Sequence, residues 1–530
     1  MVLLRKLRAV LFHLSEYMLT KITAATTWGM QAYPIDVEVD LSYGMLQFHI
    51  VGLPDAAIRE SKQRIMTALK QCGFRLPERK IIVNLAPADS KKEGTLFDLP
   101  IALGILHESG IITLSADHVH NTLFLGELSL DGSIRPVKGI LPIVCDMVRM
   151  KKSRLIVAPH NAQEAAIMNT CEVFGVHHLT DLVSYIRGEK ALFPVTACHQ
   201  YTDARRNTWV YDMADIRGQR MAKRALQIAA AGRHNILLVG PPGSGKTMLA
   251  QRLAHLMPPL TFSEMVETSK VYSISGKLLE GSLITERPFR SPHHTISAAG
   301  LIGGGITPMP GEVSLAHNGI LFLDELTEFK RTTLEVMRQP LENQLVHIAR
   351  VHYTVSFPAA CLLVAALNPC PCGFLDDTQR TCSCRAHQVK NYLQQISGPL
   401  LDRIDLQVAA VSLSYSDIEE CKDDRMSSAA LYAHIERAVA RQLDRFGIPG
   451  VWNSSMSVGD IERYCILTDR ARMMTKQAFE RLRLTMRGYH KLLKVARTIA
   501  DLEDAEEIDG IHVQEAMSYR ALDRMLERQG

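Results

Sequence analysis

The chain has 530 residues, 47% of them hydrophobic and 22% charged, the balance of an ordinary soluble globular protein long enough for three or four domains. Its 60 Lys+Arg against 56 Asp+Glu leave a net charge of +4, too small to argue for a nucleic-acid partner from the total, so any basic footprint is local. No run of about 18 uncharged apolar residues occurs, which excludes a membrane-spanning helix, and the basic start (Arg5, Lys6, Arg8) lacks the cleavage site of a secretory signal.

In chain order, the first periodic signal is Ile35–Leu41, where Ile35, Val37, Val39 and Leu41 alternate with Asp36, Glu38 and Asp40 and predict a strand. Asp55–Cys72 predicts a helix with Ile58, Ile65, Leu69 and Cys72 on one face. Lys80–Leu85, Leu123–Leu130 and Leu155–Ala158 predict three more strands, completing an α+β or α/β module from about Thr20 to Arg187. Polar and turn residues without periodicity predict a linker over 191–208. A second module begins near Trp209, with strands at Asn235–Val239, Gly319–Leu323 and Cys361–Leu367; after about Val411 the pattern is helical.

The second module carries the chemistry. Gly240-Pro241-Pro242-Gly243-Ser244-Gly245-Lys246-Thr247 matches G-x-x-x-x-G-K-[ST] between an apolar strand and a helical run from Met248 to Leu256. Such glycines let the backbone wrap phosphates, and successive N–H groups form an anion nest at a helix start. Lys246 is expected to reach the β- and γ-phosphates of ATP and the Thr247 hydroxyl to join the Mg²⁺ shell, with Gly240 through Met248 as the binding set. Ile320–Leu323 ends in two carboxylates: Asp324 is expected to orient Mg²⁺ and Glu325 to polarise the attacking water. A further strand, Leu362–Leu367, runs into Asn368, a polar tip suited to positioning that water.

Four of the eleven cysteines crowd together as Cys370-Pro-Cys372 and Cys382-Ser-Cys384. Four thiolates satisfy a tetrahedral structural Zn²⁺ and leave no open position for catalysis. The other seven read as small buried hydrophobes in a reducing cytoplasm.

The phosphate loop, the Asp-Glu strand, Asn368 and the helical tail together resemble an AAA+ ATPase. The segments RPFRSPHHT (Arg287–Thr295) and PGEVSLAH (Pro310–His317) resemble the magnesium-chelatase-like branch, close to MCM helicases. NPCPCG (Asn368–Gly373) and VARTIADL (Val495–Leu502) narrow the resemblance to the ComM/YifB family over roughly Met18–Leu526. That resemblance implies a cytoplasmic homo-hexameric ring motor acting on single-stranded and branched DNA, promoting branch migration during natural transformation alongside other recombination proteins. A chelatase-like motor that remodels a protein or assists metal insertion into a porphyrin is the alternative the shared motifs leave open. The resemblance also implies that Arg403, in Leu401-Asp-Arg-Ile-Asp405, is an arginine finger for a neighbouring subunit's γ-phosphate, and that Arg497 is the sensor arginine of a helical lid. Ordinary ion pairs, Arg403 with Asp405 and Arg497 with Asp501, remain the alternative for each.

The expected fold class is α/β. Residues 1–17 read as a disordered extension, 18–190 as an inactive Lon-protease-like α+β domain, 191–208 as a linker, 209–412 as the AAA+ core with chelatase/MCM-type inserts and the cysteine cluster, and 413–530 as the helical lid. The Lon resemblance runs through KKEGTLFDLP (Lys91–Pro100) and GELSLDGSIRPVKGI (Gly126–Ile140). Lon needs a serine nucleophile and a lysine base within hydrogen-bond reach. Leu96 and Leu141 stand at those positions, with Ser133 and Lys138 out of register, so proteolysis is not expected and the domain reads as an assembly or DNA-facing collar.

Two DNA-contact regions are expected. Leu345–Val355 reads as two short strands around Ala349-Arg350, where helicases of this branch carry a pore hairpin; Arg350, with His347 or His352, would contact phosphates. Arg483, Arg487, Lys491 and Lys494 recur every three or four residues as a basic helix stripe, facing DNA or a neighbouring subunit's acids.

Overall fold

The computed structural model describes residues 20–76, 78–88, 92, 94–196, 211–278, 282–305, 307–350, 353–375, 377, 379–412, 426–481 and 484–520. The expected extension at 1–17 therefore lies outside the described residues, as do His352, Arg483 and most of the expected linker. The chain divides into two compact units, Met1–Tyr201 with Ser269–Leu283, and Thr202–Thr268 with Ile284–Gly530.

In the first unit a four-stranded sheet runs in the order Thr20–Trp28, Gln31–Ser42, Lys80–Ala86, Phe48–Val51, antiparallel except for the edge strand Phe48–Val51. The alternation read over Ile35–Leu41 puts Ile35, Val37 and Val39 in the core, the consequence of side chains pointing to opposite faces at every step. Helix Ala56–Gln71 starts where Asp55 caps it, its carboxylate accepting from the Ile58 N–H at 2.8 Å. The run Leu123–Leu130 is not one strand. Thr122–Phe124 pairs with Arg154–Val157, while Glu127–Leu128 pairs with Ile134–Arg135 in a separate sheet. Between them Gly126 turns its backbone to Leu96 and Leu99, donating to the Leu96 carbonyl and accepting from the Leu99 N–H at 3.1 Å each. Hydrophobicity alone does not reveal such a break.

Leu96 and Leu141 are both buried, and the Ser133 hydroxyl donates to Asp131 Oδ1 at 2.8 Å. The Ser269–Leu283 stretch, which interrupts the second unit's sequence, also belongs to this unit. Its Ser273 hydroxyl donates to Glu164 Oε1 at 2.6 Å, and its Ser273 carbonyl accepts from Gly139 N at 3.1 Å. Burial raises the Glu164 pKa, a cost that the bonds from Ser273 and the Leu141 N–H partly offset.

The second unit is built on a five-stranded parallel sheet in the order Phe289–Arg290, Ile320–Leu323, Leu362–Leu367, Ile236–Val239, Leu406–Ala409. The three central strands are apolar throughout and buried throughout, as parallel strands covered on both faces must be. Leu406–Ala409 was not among the predicted strands. Helices Arg220–Gly232, Lys246–Leu256, Ser428–Phe446 and Met486–Leu502 contribute to one core with this sheet. The predicted hairpin is present as antiparallel strands Leu345–Arg350 and Tyr353–Pro358. Ala349 and Arg350 are not in a turn as expected: both are still on the first strand, in register with Thr354 and Tyr353.

Candidate active site

Parallel strands deliver their loops to one edge, and ligands bind where neighbouring connections diverge. Val239 is in register with Leu367, and Leu323 with Ala365, so the loop at Gly240, Asp324 and Asn368 all leave the sheet at the same carboxyl edge. The middle strand thus sets Asn368 between the phosphate loop and the acidic pair.

Gly243 and Gly245 have φ of +80° and +82°, and a Cβ on either would meet nothing within 4 Å, so the loop arches over open space. Gly240 is the opposite case: a Cβ there would lie 2.1 Å from the Ala410 carbonyl oxygen, which only glycine permits. Lys246 Nζ donates to the Gly240 and Pro241 carbonyls at 2.7 and 2.9 Å and to Asn368 Oδ1 at 3.3 Å. Burial lowers its pKa while Asp324 and Glu325 act in the other direction. The Thr247 hydroxyl donates to Asp324 Oδ2 at 2.9 Å, and Asp324 Oδ1 accepts from the Glu325 N–H at 2.9 Å. An arched loop with free space beneath its N–H groups, one lysine at its base and a hydroxyl–carboxylate pair beside it fits a triphosphate and Mg²⁺.

Glu325 is in the left-handed backbone region, at φ +50°. Non-glycine residues adopt it at a cost, and such positions cluster at functional sites. His294 Nδ1 approaches Glu325 Oε2 at 3.6 Å. In the sequence His294 stands out only as part of the segment Arg287–Thr295; its spacing to Glu325 is set by the pairing of Phe289–Arg290 beside Ile320–Leu321 and has no local signature.

The four cysteine sulfurs lie within 4.8 Å of one another. Cys370 and Cys372 are 3.3 Å apart, Cys370 and Cys382 3.7 Å, and Cys372 and Cys382 3.6 Å. A tetrahedron with Zn–S bonds of about 2.3 Å has sulfurs about 3.8 Å apart, so the cluster is already close to metal-ready dimensions. The Phe374 N–H pulls the Cys372 thiol down to about 6, which favours the thiolate. Gly373, at φ +85°, sits against the phosphate loop: a Cβ there would lie 2.6 Å from Pro242 Cδ.

The two arginines differ in their surroundings. Arg403 is buried, its Nε donating to the Arg338 carbonyl at 3.0 Å, its Nη1 to the Pro399 carbonyl at 2.6 Å, and its Nη2 pairing with Glu342. The same Glu342 faces the exposed Arg487 at 3.5 Å. Arg497 is 1% exposed, donates to the Glu506 and Ala505 carbonyls at 2.6 Å each and pairs with Asp501 at 3.1 Å. The i,i+4 pair foreseen as its alternative is formed, and both terminal guanidinium nitrogens are engaged within the helical region.

The basic stripe needs correction. Lys491 Nζ lies 3.0 Å from Asp405, and Lys494 Nζ donates to the Ser454 carbonyl at 2.9 Å. Both are half-buried and burial lowers both pKa values, so neither is displayed for a phosphate backbone. The period showed one helix face; it did not show that this face packs inward. Of the stripe's described members only Arg487 is exposed. His347 is exposed, with its Nδ1 2.7 Å from the Ser356 hydroxyl across the hairpin.

Together, the parallel sheet, phosphate loop and acidic pair define a P-loop ATPase of the AAA+ type. Three family models match: "Magnesium chelatase, subunit ChlI" over residues 212–418, "Subunit ChlI of Mg-chelatase" over 37–161 and "Magnesium chelatase, subunit ChlI C-terminal" over 425–520. The chain belongs to this magnesium-chelatase-like AAA+ family, whose membership implies ATP hydrolysis, and within it to the ComM/YifB group. It is 41% identical over 510 residues to competence protein ComM of Haemophilus influenzae, covering 96% of this chain and 98% of that protein. It is 38% identical to YifB of Escherichia coli, covering 94% and 96%. Lon protease 2 of Bacillus subtilis is 30% identical over 150 residues, 26% of this chain. No described helix is long and apolar enough to cross a membrane.

Proposed function

We propose that this protein is an ATP-driven DNA motor of the ComM type, working as a homo-hexameric ring that promotes branch migration of recombination intermediates in natural transformation. The observation that carries the reading is the convergence of Lys246, Thr247, Asp324, Glu325 and Asn368 at one sheet edge, in a chain that aligns with a competence protein over nearly its whole length. Lys246 and the loop N–H groups would hold the β- and γ-phosphates of ATP. Thr247 and Asp324 would hold Mg²⁺, which supplies charge neutralisation there. Glu325 would take the proton of the attacking water, with Asn368 orienting it.

Arg403 is our candidate for the residue a neighbouring subunit lends to this site, Glu342 serving as its counter-ion until a phosphate replaces it. The placement of Arg497 supports a scaffolding role better than phosphate sensing. We divide the chain functionally into 18–190, a Lon-like collar in which two buried leucines stand for nucleophile and base, 209–412 as motor core, and 413–530 as lid. The four cysteines would hold one structural Zn²⁺. Arg350, at the last position of its strand, is the candidate grip on DNA in the channel, with His347 behind it.

The test is ATP hydrolysis by the purified protein with and without single-stranded or branched DNA, for the wild type and Arg350→Ala. Stimulation by DNA, reduced in the variant together with a drop of about one in the slope of log affinity against log salt, is the expected result. Hydrolysis indifferent to DNA would instead favour a chelatase-like remodelling motor, a reading consistent with the three chelatase-subunit matches.

A further inference from the structure

A cavity of about 340 Å³ opens at the edge of the parallel sheet opposite the phosphate loop. Three residues that line it, Asn235, Cys361 and Asp405, each stand one position before a strand: Ile236–Val239, Leu362–Leu367 and Leu406–Ala409. The phosphate loop leaves the far end of the first of these strands, so the cavity lies at the amino edge. Asn235 fixes that edge, donating to the Arg403 carbonyl at 3.0 Å and accepting from the Leu363 N–H at 2.9 Å. The turn Asn453–Ser455 and the helix Met486–Leu502 supply the other wall.

The lining carries more positive charge than its own acids balance. Glu342, 48% exposed at the rim, lies between Arg403 and Arg487, and Asp405 is met by Lys491 at 3.0 Å. Both carboxylates that line the cavity are thus taken, and two buried or half-buried cations remain. Arg233, 9% exposed, holds its guanidinium over the Trp452 ring, 5.7 Å from the centroid. Its Nη2 donates to the Ala360 carbonyl at 2.8 Å and to Asn318 Oδ1 at 3.3 Å, both neutral. Glu264, at 3.9 Å, lies nearer to Arg287, at 3.3 Å. Burial and the neighbouring Arg287 push the Arg233 pKa down to about 10, as expected of a charge short of compensation.

Lys494 is the second such cation. Its Nζ donates to the Ser454 carbonyl at 2.9 Å and has no carboxylate within ion-pair distance among the described residues. Arg233 on the Trp452 ring and Lys494 on the Ser454 carbonyl therefore meet at the same short turn. Trp452 is itself buried, and its Nε1 has no hydrogen-bond partner among the described residues. A buried donor without an acceptor costs more than a made hydrogen bond gains, so this turn is short of acceptors as well as of negative charge.

We propose that this cavity binds a phosphorylated small molecule, its phosphate held between Arg233 and Lys494 beside Trp452. A phosphate brings the charge and the several acceptor oxygens that guanidinium and ammonium groups bind best. The volume falls in the range of about 300–1,000 Å³ usual for small-molecule sites. Arg233 lies too deep for a nucleic-acid backbone, which would meet the exposed Arg487 at the rim first. The site draws on neither the hairpin nor the phosphate loop, and stands apart from the Arg403–Glu342 pair assigned to a neighbouring subunit.

The experiment titrates inorganic pyrophosphate, without Mg²⁺, into full-length Lys246→Ala, whose phosphate loop lacks its lysine, and reads heat and tryptophan emission together. One binding event per chain is expected, with a change in emission that Trp452→Phe silences. Arg233→Gln added to this background should weaken binding about tenfold or more. Should Arg233→Gln fail to fold, Lys494→Gln is read in the same way. No binding, or binding that neither substitution weakens, overturns the site. Binding seen only at concentrations where the chain self-associates also overturns it, because the anion is then held across a contact between copies.

Discussion

The Thr247 hydroxyl donates to an Asp324 carboxylate oxygen at 2.9 Å, tying the first turn of the phosphate-loop helix to the end of a strand 77 residues away. The adjacent Glu325 bonds through its N–H to the other Asp324 oxygen, so one carboxylate is tied both to Thr247, proposed to hold Mg²⁺, and to Glu325, proposed to activate water. Glu325→Gln should therefore preserve nucleotide binding, because neither Lys246 nor Thr247 loses a partner. It should lower kcat by about a hundredfold or more, the amide being unable to accept the water's proton. Lys246→Ala should lose binding as well. Equilibrium binding of a fluorescent ATP analogue, measured beside turnover, separates the two; normal turnover by Glu325→Gln would mean another residue activates the water.

Arg403 and Arg487 share Glu342, a carboxylate lying where two guanidinium groups converge. If a neighbouring subunit's phosphate takes that place, Arg403→Ala subunits should bind ATP yet hydrolyse little. Mixing them with Lys246→Ala subunits should recover part of the rate, since some interfaces then pair an intact phosphate loop with an intact arginine. Turnover is read against mixing ratio in rings shown to contain both variants. A flat response would remove Arg403 from the hydrolytic site.

One zinc per chain is expected in protein prepared without chelators, from the four-sulfur geometry around Cys370. Cys370→Ser should abolish it and, because Gly373 presses on Pro242, lower the affinity for ATP as well as the thermal midpoint. Metal analysis of both proteins, with nucleotide titration, is the check; a zinc-free wild type refutes the site.

Asp405 is reached by Lys491 at 3.0 Å and by His234 at 3.5 Å. Burial by itself would raise its pKa, but these partners hold it far below the usual carboxylate range. A folded value below the unfolded value of about 3.9 means that stabilisation is complete above roughly pH 4 and is lost as pH falls through the folded value. Asp405→Asn should cost about 3 kcal/mol at pH 7, because it leaves Lys491 without its counter-charge. The wild-type and variant thermal midpoints should approach each other only in strong acid. A difference between the two midpoints that does not shrink as pH falls would refute the charge role of Asp405.

What the sequence by itself determined is the set of parts whose chemistry is contiguous. The phosphate loop, the strand ending in Asp324-Glu325, the hairpin and the paired cysteines each lie within a few residues, so local geometry and residue type define them before anything folds. The candidate ATP site was legible because its apolar strands mark where each polar tip must emerge. What only the tertiary structure decided is which surfaces meet. Helical period grouped Lys491 and Lys494 on one face but could not say that Asp405 and the Ser454 carbonyl would cover it. Family resemblance singled out Arg497, yet its burial against Asp501 depends on how the loop at Ala505-Glu506 folds back over it. The departure of Ser269–Leu283 into the first unit, and the approach of His294 to Glu325, likewise had no local signature. Period and composition report which side of an element is apolar; which partner an exposed charge finds is settled by packing between residues far apart in the chain.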